Sequence, residues 1–311
     1  MGLMSWTEHV RRRLKLKDLD VLLSVVELGG IGKAAGKLHI SQPAVSKAIA
    51  GLERQLGVQL LDRSPRGTEP TAYARALIRR IVTVFDELGR GMEDIQFLND
   101  PTVGEVRIGA PEPIAAAIIA PVVDKMSRQF KQISFRVTAG DTEALLRQMS
   151  DRKLEFVVSR VPGPPAENIS FDVLFSDPLV VAADKGHPLM RRRKLALADL
   201  VGEPWTLQPE DSFFGSMVAA AFRASGLTPR LSVPTNSFNL RRELLATGRF
   251  LTVVPRFSLL LPCKHPTLRA LPVSFAVAPH KVAILSIKGR SLTPLSQSFI
   301  DEVRLIRLAN E

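Results

Sequence analysis

The chain has 311 residues, 45% hydrophobic and 23% charged, with 42 Lys and Arg against 31 Asp and Glu for a net charge of +11. That length suits two or three domains with separate cores. The single cysteine, Cys263, excludes an internal disulfide; no Cys/His cluster has zinc spacing, and no apolar run is long enough to cross a membrane. The positive charge favours polyanionic partners and is densest near the N-terminus, where residues 11–80 hold 14 basic and 6 acidic side chains.

Met1 to Leu14 is polar, then basic at Arg11, Arg12 and Arg13, with no apolar core of signal-peptide length, so a cytoplasmic location is expected. From Leu16 to Leu28 the residues Leu19, Leu22, Leu23, Val25 and Val26 recur at helical spacing, and Gly29-Gly30 supplies a stop. A short helix is predicted over Lys33 to Leu38. Ser41 then offers a hydroxyl to cap a third helix whose first turn tolerates Pro43. On that helix Val45, Ala48, Ile49, Leu52 and Leu56 share one face, and Pro43, Ser46, Lys47, Ala50 and Arg54 lie opposite, with Gln42 at the leading edge.

The glycine-lysine stretch inside "ELGGIGKAAGKLHISQPAVSKAI" is not a phosphate cradle. Gly32-Lys33 has Glu27 where the phosphate loop needs its first glycine, and Ala34 where it needs a hydroxyl for magnesium. Gly30, Gly32 and Gly36 follow a helical segment, whereas the dinucleotide fingerprint follows a strand. Every feature of the stretch suits a helix-turn-helix: Ala34 and Ala35 let two helices approach, the Val45 to Leu56 stripe anchors the third, and Gln42, Ser46 and Lys47 can reach base edges.

"LLDRSPRGTEPT" is punctuated by Pro65, Gly67 and Pro70 and is expected to form a loop or small wing displaying Arg63 and Arg66. Ala74, Leu77, Ile81, Val84, Leu88, Gly91, Ile95 and Leu98 then alternate in steps of three and four, a heptad seam ending before Pro101. A second copy of the chain is the expected partner of that seam; a long helix lying on its own domain is the other reading.

Beyond Pro101, short apolar runs alternate with helical stretches. "GEVRIGAP", "ISFRVTAG" and "LEFVVSR" read as strands with helices near Ile114 to Phe130 and Thr142 to Met149 between them, the pattern of a parallel sheet. "DPLVVAAD", "PWTLQP", a helix near Phe213 to Ser225, "RLSVPTN", a helix near Leu240 to Thr247 and "FLTVVP" form a second set. "KVAILSIK" and a helix from Pro294 to Leu308 close the chain. The expected class is α/β: a winged helix-turn-helix (residues 14–70), a linker helix (71–98) and a two-lobed domain with a cleft (102–311).

"AAGKLHISQPAVSKAIAGLERQLGVQLLDRSPRGTEPT" resembles the N-terminal domain of LysR-type transcriptional regulators, matching the order AA, L, SQPAVS, LE, LG, L, R and T; Leu61 and Ala74 depart from the common residues. "GHPL" at Gly186 to Leu189 also resembles the family. The resemblance implies a two-lobed effector domain like that of type 2 periplasmic solute-binding proteins. It implies that Ser41, Gln42, Pro43, Ala44, Ser46 and Lys47 face the major groove or adjacent phosphates, with Gln42 suited to an adenine edge. Arg63 and Arg66 would contact backbone or minor groove. The effector would sit near Glu112, Pro113, Asp141, Arg160, Pro209 to Ser212, Asn236 and Ser237. Arg160 favours an anionic ligand, and Glu112 and Asp141 a polyhydroxylated one. No cofactor and no metal is implied. The implied partners are an imperfectly palindromic DNA operator, RNA polymerase, and further copies forming a dimer through the linker helix and a tetramer through the effector domains.

Two other classes share the lobes. A solute-binding protein would not need residues 11–98. A two-lobed enzyme would need a reactive cysteine, for which Cys263 near His265 is the candidate.

Overall fold

The computed structural model describes residues 14–64, 67–161, 166–259, 267–275, 277 and 280–308. The three arginines of the N-terminal extension, Arg66, Cys263 and His265 lie outside these residues, as does the side chain of Arg63. The chain divides into two compact units, Met1–Met92 and Glu93–Glu311.

In the first unit, α1 (Leu16–Leu28), α2 (Ile31–Leu38) and α3 (Gln42–Leu56) precede a hairpin of β1 (Leu61–Ser64) and β2 (Gly67–Pro70). The predicted stop after α1 is made by Gly29, whose φ of 70° lets its N–H donate back to the Val25 carbonyl. Leu19, Leu22 and Val25 of α1 meet Ala34 and Ala35 of α2 and Val45, Ile49 and Leu52 of α3 in one buried cluster. The two alanines are buried to 5% exposure or less, so the second helix presents no bulk that would hold the other two apart.

Helix α4 (Ala72–Asn99) carries the heptad seam, and the structure divides that seam in two. Ala74 and Ile81 are buried in the core of the first unit, with Leu77, Ile78 and Phe85 packed beside them. Val84, Leu88, Gly91, Met92, Ile95 and Leu98 are exposed and share one side of the helix. The expectation that the whole seam serves one coiled coil is corrected for its first half, which packs on its own domain in the same buried cluster as Val45 and Leu60.

In the second unit the first lobe is built on a five-stranded sheet, in the order β4 (Gln132–Ala139), β3 (Val103–Ala110), β5 (Phe156–Arg160), β12 (His280–Ile287) and β6 (Ile169–Asp177). Strand β3 runs parallel to β4 and β5, but β12 pairs antiparallel with both β5 and β6. The expected parallel sheet is therefore mixed, since β6 leaves for the second lobe and β12 returns from it in the opposite sense. One face carries Val106, Ile108, Phe156, Val158 and Ile284 against the helical segment 112–129 and α9 (Pro294–Leu308). That segment runs from Glu112–Ile114 through a π turn, Ala115–Ile119, into α5 (Ala120–Gln129). The other face carries Val157 and Leu285 against Leu145 and Met149 of α6 (Thr142–Ser150).

The second lobe pairs β7 (Leu179–Asp184) with β10 (Thr252–Pro255) and β11 (Leu268–Ala270). Strands β8 (Trp205–Leu207) and β9 (Leu231–Pro234) join this sheet through a bridge from Trp205 to Leu251. One face, formed by Val181, Ala183, Trp205, Leu207 and Val253, is covered by α7 (Phe213–Ala224) through Val218 and Phe222. The opposite face carries Val180, Ala182 and Val254 beneath α8 (Phe238–Ala246). The "GHPL" segment forms a 3-10 turn, Pro188–Arg191, capped by the buried His187, rather than a full helix.

Candidate nucleic-acid interface and effector cleft

The polar end of α3 is presented by the packing of its back. Val45, Ile49 and Leu52 are almost wholly buried, which fixes the rotation of the helix and leaves Ser41, Gln42, Pro43, Ala44 and Lys47 exposed and Ser46 half-buried. Ser41 caps the helix, its Oγ accepting from the Ala44 N–H at 3.3 Å, so its side chain also sets where the helix begins. The Gln42 amide lies over Gly32, where an added Cβ would stand 3.4 Å from its Nε2. The amide thus lies close to the backbone of α2 while the side chain stays exposed.

Two residues that the sequence offered only as letters of the family pattern position the wing. Glu53 of α3 accepts at one carboxylate oxygen from the N–H groups of Leu60 (2.8 Å) and Leu61 (3.3 Å). Thr71 donates its hydroxyl to the Gln59 carbonyl at 2.8 Å while accepting from the Ala74 N–H at 3.2 Å, joining the wing base to the start of α4. The charge-assisted Glu53 bonds tie the start of the hairpin to α3, and the Thr71 bonds tie its base to α4.

In the second unit the residues expected at the cleft sit at strand ends and helix starts, and three of them are helix caps. Asp141 accepts from the Ala144 N–H (2.8 Å), Ser212 from the Gly215 N–H (3.0 Å) and Ser237 from the Leu240 N–H (3.2 Å). The Ser212 hydroxyl also donates to the Pro209 carbonyl at 2.7 Å. Gly215 permits that turn, because a Cβ there would lie 1.9 Å from the Pro209 oxygen. Asn236 is exposed and Pro113 opens the first helical turn of the segment 112–129.

Glu112 makes a contact between the lobes: its Oε1 accepts from Asn239 Nδ2 of α8 at 2.6 Å. Asn239 has no counterpart among the sequence-derived candidates, since an asparagine in the first turn of a helix has no distinguishing pattern. The same holds for the Thr142–Ser159 hydroxyl pair, 2.6 Å apart at the strand ends.

Arg160 is engaged by protein. Its Nη2 donates to Asp177 at 3.0 Å, and the second oxygen of Asp177 accepts from the Phe257 N–H at 3.0 Å. Burial pushes the Arg160 guanidinium below its ordinary range and the Asp177 charge opposes that shift. This pair stands where β6 leaves the first lobe, so its direct effect is to hold the crossing between lobes.

Among the described residues no helix is long and apolar enough to cross a membrane and no group of three or more His, Cys, Asp or Glu could hold a metal ion. Two family models match the chain: "Bacterial regulatory helix-turn-helix protein, lysR family" over residues 16–75 and "LysR substrate binding domain" over residues 99–305. The regulator GbpR of Azospirillum brasilense is 30% identical over 95% of this chain and 87% of its own length. The dual regulator GltC of Bacillus subtilis is 23% identical over 93% of this chain and 96% of its own. Full-length OxyR C199D of Pseudomonas aeruginosa superposes with a TM-score of 0.66 at 19% identity, covering 94% of this chain and 95% of that one. CbnR in complex with its target DNA superposes with a TM-score of 0.53 at 21% identity, covering 94% and 100%.

Proposed function

The chain belongs to the LysR family of bacterial transcriptional regulators, and from that premise we propose that it reads an imperfectly palindromic operator as a dimer whose output is set by a small molecule between its two α/β lobes. The observation that carries the DNA part is the anchored α3: a buried back, a capped N-terminus, and Gln42, Ser46 and Lys47 at the accessible end. Gln42 and Ser46 take base edges, while Lys47 and the wing arginines Arg63 and Arg66 take phosphates or minor groove and contribute affinity more than sequence choice.

The dimer forms through the exposed half of the α4 seam, and a further pairing of effector domains makes the tetramer. The effector occupies the space bounded by Glu112, Pro113, Asp141, Pro209 to Ser212, Asn236 and Ser237, with Asn239 opposite Glu112. A ligand that separates the Glu112–Asn239 hydrogen bond shifts the angle between lobes only by as much as its affinity differs between the two arrangements. In this reading the angle alters the spacing of the DNA-binding pairs, and with it DNA bending and the approach of RNA polymerase.

The deciding experiment is selection of genomic fragments followed by footprinting, on the native chain and on the double variant Gln42→Ala, Ser46→Ala. The native chain is expected to protect a discrete site of approximate two-fold symmetry, and the variant to keep only salt-sensitive binding without a preferred site. Equal protection by both proteins refutes the assignment of α3 as the reading helix.

A further inference from the structure

The buried stripe of α8 consists of Phe238, Arg241 and Leu245, one residue per turn, so a guanidinium occupies the middle of a helix face that packing would assign to an aliphatic side chain. Arg241 is only 4% exposed. Its Nε and Nη1 are both out of solvent and have no hydrogen-bond partner, and its Cζ lies 5.9 Å from the centroid of the Phe238 ring. No carboxylate among the described residues offsets the charge: burial alone pushes its pKa down to about 10. Arg160, the cation the sequence favoured for an anion, differs in having Asp177.

The sheet face beneath α8 is unusually polar for a lobe core. Strand alternation sends Trp205, Leu207 and Val253 to the α7 side, which places Thr206 and Thr252 with Ala182 and Val254 on the α8 side. Thr252 is satisfied, donating to the Thr206 carbonyl at 2.7 Å. Thr206 is wholly buried and its Oγ1 has no partner. One helix and the strand it covers therefore each carry an unmet hydrogen-bonding group, in a core where such groups are normally paired.

We propose that Arg241, with the Thr206 hydroxyl, is a receptor for the carboxylate of a small monoanionic ligand, held between α8 and the sheet two residues along the helix from Asn239. A carboxylate neutralises the one buried cation and accepts from its N–H groups and from the hydroxyl. A phosphate or sulfate dianion would leave a net negative charge in the same surroundings, which burial penalises as it does the lone cation. The Phe238 ring on the guanidinium suits an acid with an apolar body. This assignment rests on the effector reading of the two lobes and adds the ligand's class and its principal contact.

The test uses the full-length chain in a Trp6→Phe background, so that fluorescence on heating reports Trp205 in the second lobe. Acetate, benzoate, inorganic phosphate, sulfate and galactose are titrated at constant ionic strength into the native protein and into Arg241→Met and Arg241→Lys. Acetate and benzoate are expected to raise the unfolding temperature saturably, by roughly 5–10 °C at a hundredfold excess over Kd. That response is lost in Arg241→Met and weakened in Arg241→Lys. No response of the native protein to acetate, or equal responses in native and Arg241→Met, overturns the proposal. A saturable response to galactose that survives Arg241→Met, without any carboxylate response, also overturns it and leaves the cleft reading standing. A carboxylate response confined to proteins with Arg241, when no ligand changes the footprint, keeps the receptor and removes the cleft's control of DNA.

Discussion

Replacing Leu88 by aspartate puts a charge at the middle of the exposed half of the α4 seam. Val84, Leu88, Met92, Ile95 and Leu98 are 41%, 49%, 66%, 55% and 82% exposed in the single chain. Together that amounts to about three full apolar side chains; at about 2 kcal/mol each, covering them stabilises a dimer by roughly 6 kcal/mol per protomer before the cost of association is met. Leu88 accounts for about 1 kcal/mol of this in each copy. The substitution acts twice in a symmetric pair and adds two carboxylates that must be desolvated or face each other, so the loss is about 4 kcal/mol or more. At 1.4 kcal/mol per decade, the dimer Kd should rise by about a thousandfold. Sedimentation velocity over a dilution series should show the native chain associated and Leu88→Asp dissociated, with helix content unchanged, because Leu88 lies outside the buried cluster of the winged domain. Footprints should shrink to single half-sites. If Leu88→Asp associates as the native chain does, the exposed stripe is not the contact between copies and the argument from exposure fails.

Three other substitutions follow from the same reasoning. Arg241→Met should stabilise the ligand-free second lobe at neutral pH: burial pushes the guanidinium down to about 10, a cost of roughly 3 kcal/mol against the charged form, of which lost contact with Phe238 returns part, leaving about 1–2 kcal/mol measurable by urea unfolding on Trp205 fluorescence. A cation whose folded pKa is lowered opposes folding most below that value, so the advantage should fade as pH rises above about 10, and a destabilised variant at pH 7 would show that Arg241 has a protein partner. Gly215→Ala should cost about 3 kcal/mol or more and lower effector affinity while sparing operator recognition, since its Cβ would displace the Pro209 carbonyl; quantitative footprinting and titration separate the two effects. Glu53→Gln should cost about 1–3 kcal/mol and weaken operator affinity through a less fixed wing, read by gel shift at several salt concentrations, because a neutral oxygen replaces the charged acceptor of Leu60 and Leu61.

Much of this architecture is legible in the residues because local signals agree with tertiary need. Gly29 does stop α1, Ser41 does cap α3, and Pro294 does open the last helix. Strand β6 was absent from the expected elements: Asp172 and Ser176 interrupt its apolar run, and among its hydrophobic residues only Leu174 is buried in the core. Strand direction was not legible either, since "KVAILSIK" has the same composition whichever way it pairs. The heptad pattern looked uniform because a coiled coil and a helix docked on its own domain use the same spacing; only the position of Ala74 and Ile81 beneath β1 and α3 divides it. At the cleft, the sequence located helix starts correctly but gave no sign of which polar side chains the fold consumes. Asp141, Ser212 and Ser237 serve as caps, Arg160 has a counter-ion, and Arg241 reads as an ordinary charged residue of a helix until its burial is known.

The division of α4 makes the winged domain and the first turns of the helix a single casting. With Ala74 and Ile81 locked in the same core as Val45 and Ile49, α3 cannot swivel without carrying α4 along. In the proposed dimer, the distance between two operator half-sites would then be dictated by the geometry of Val84 to Leu98, some 20 Å of helix at 1.5 Å per residue, rather than by the residues proposed to touch bases. Vocabulary and gauge are thereby written in separate places: exchanging Gln42 or Ser46 should change which sequence is read, while reshaping the distal seam should change only how far apart the two readings are taken.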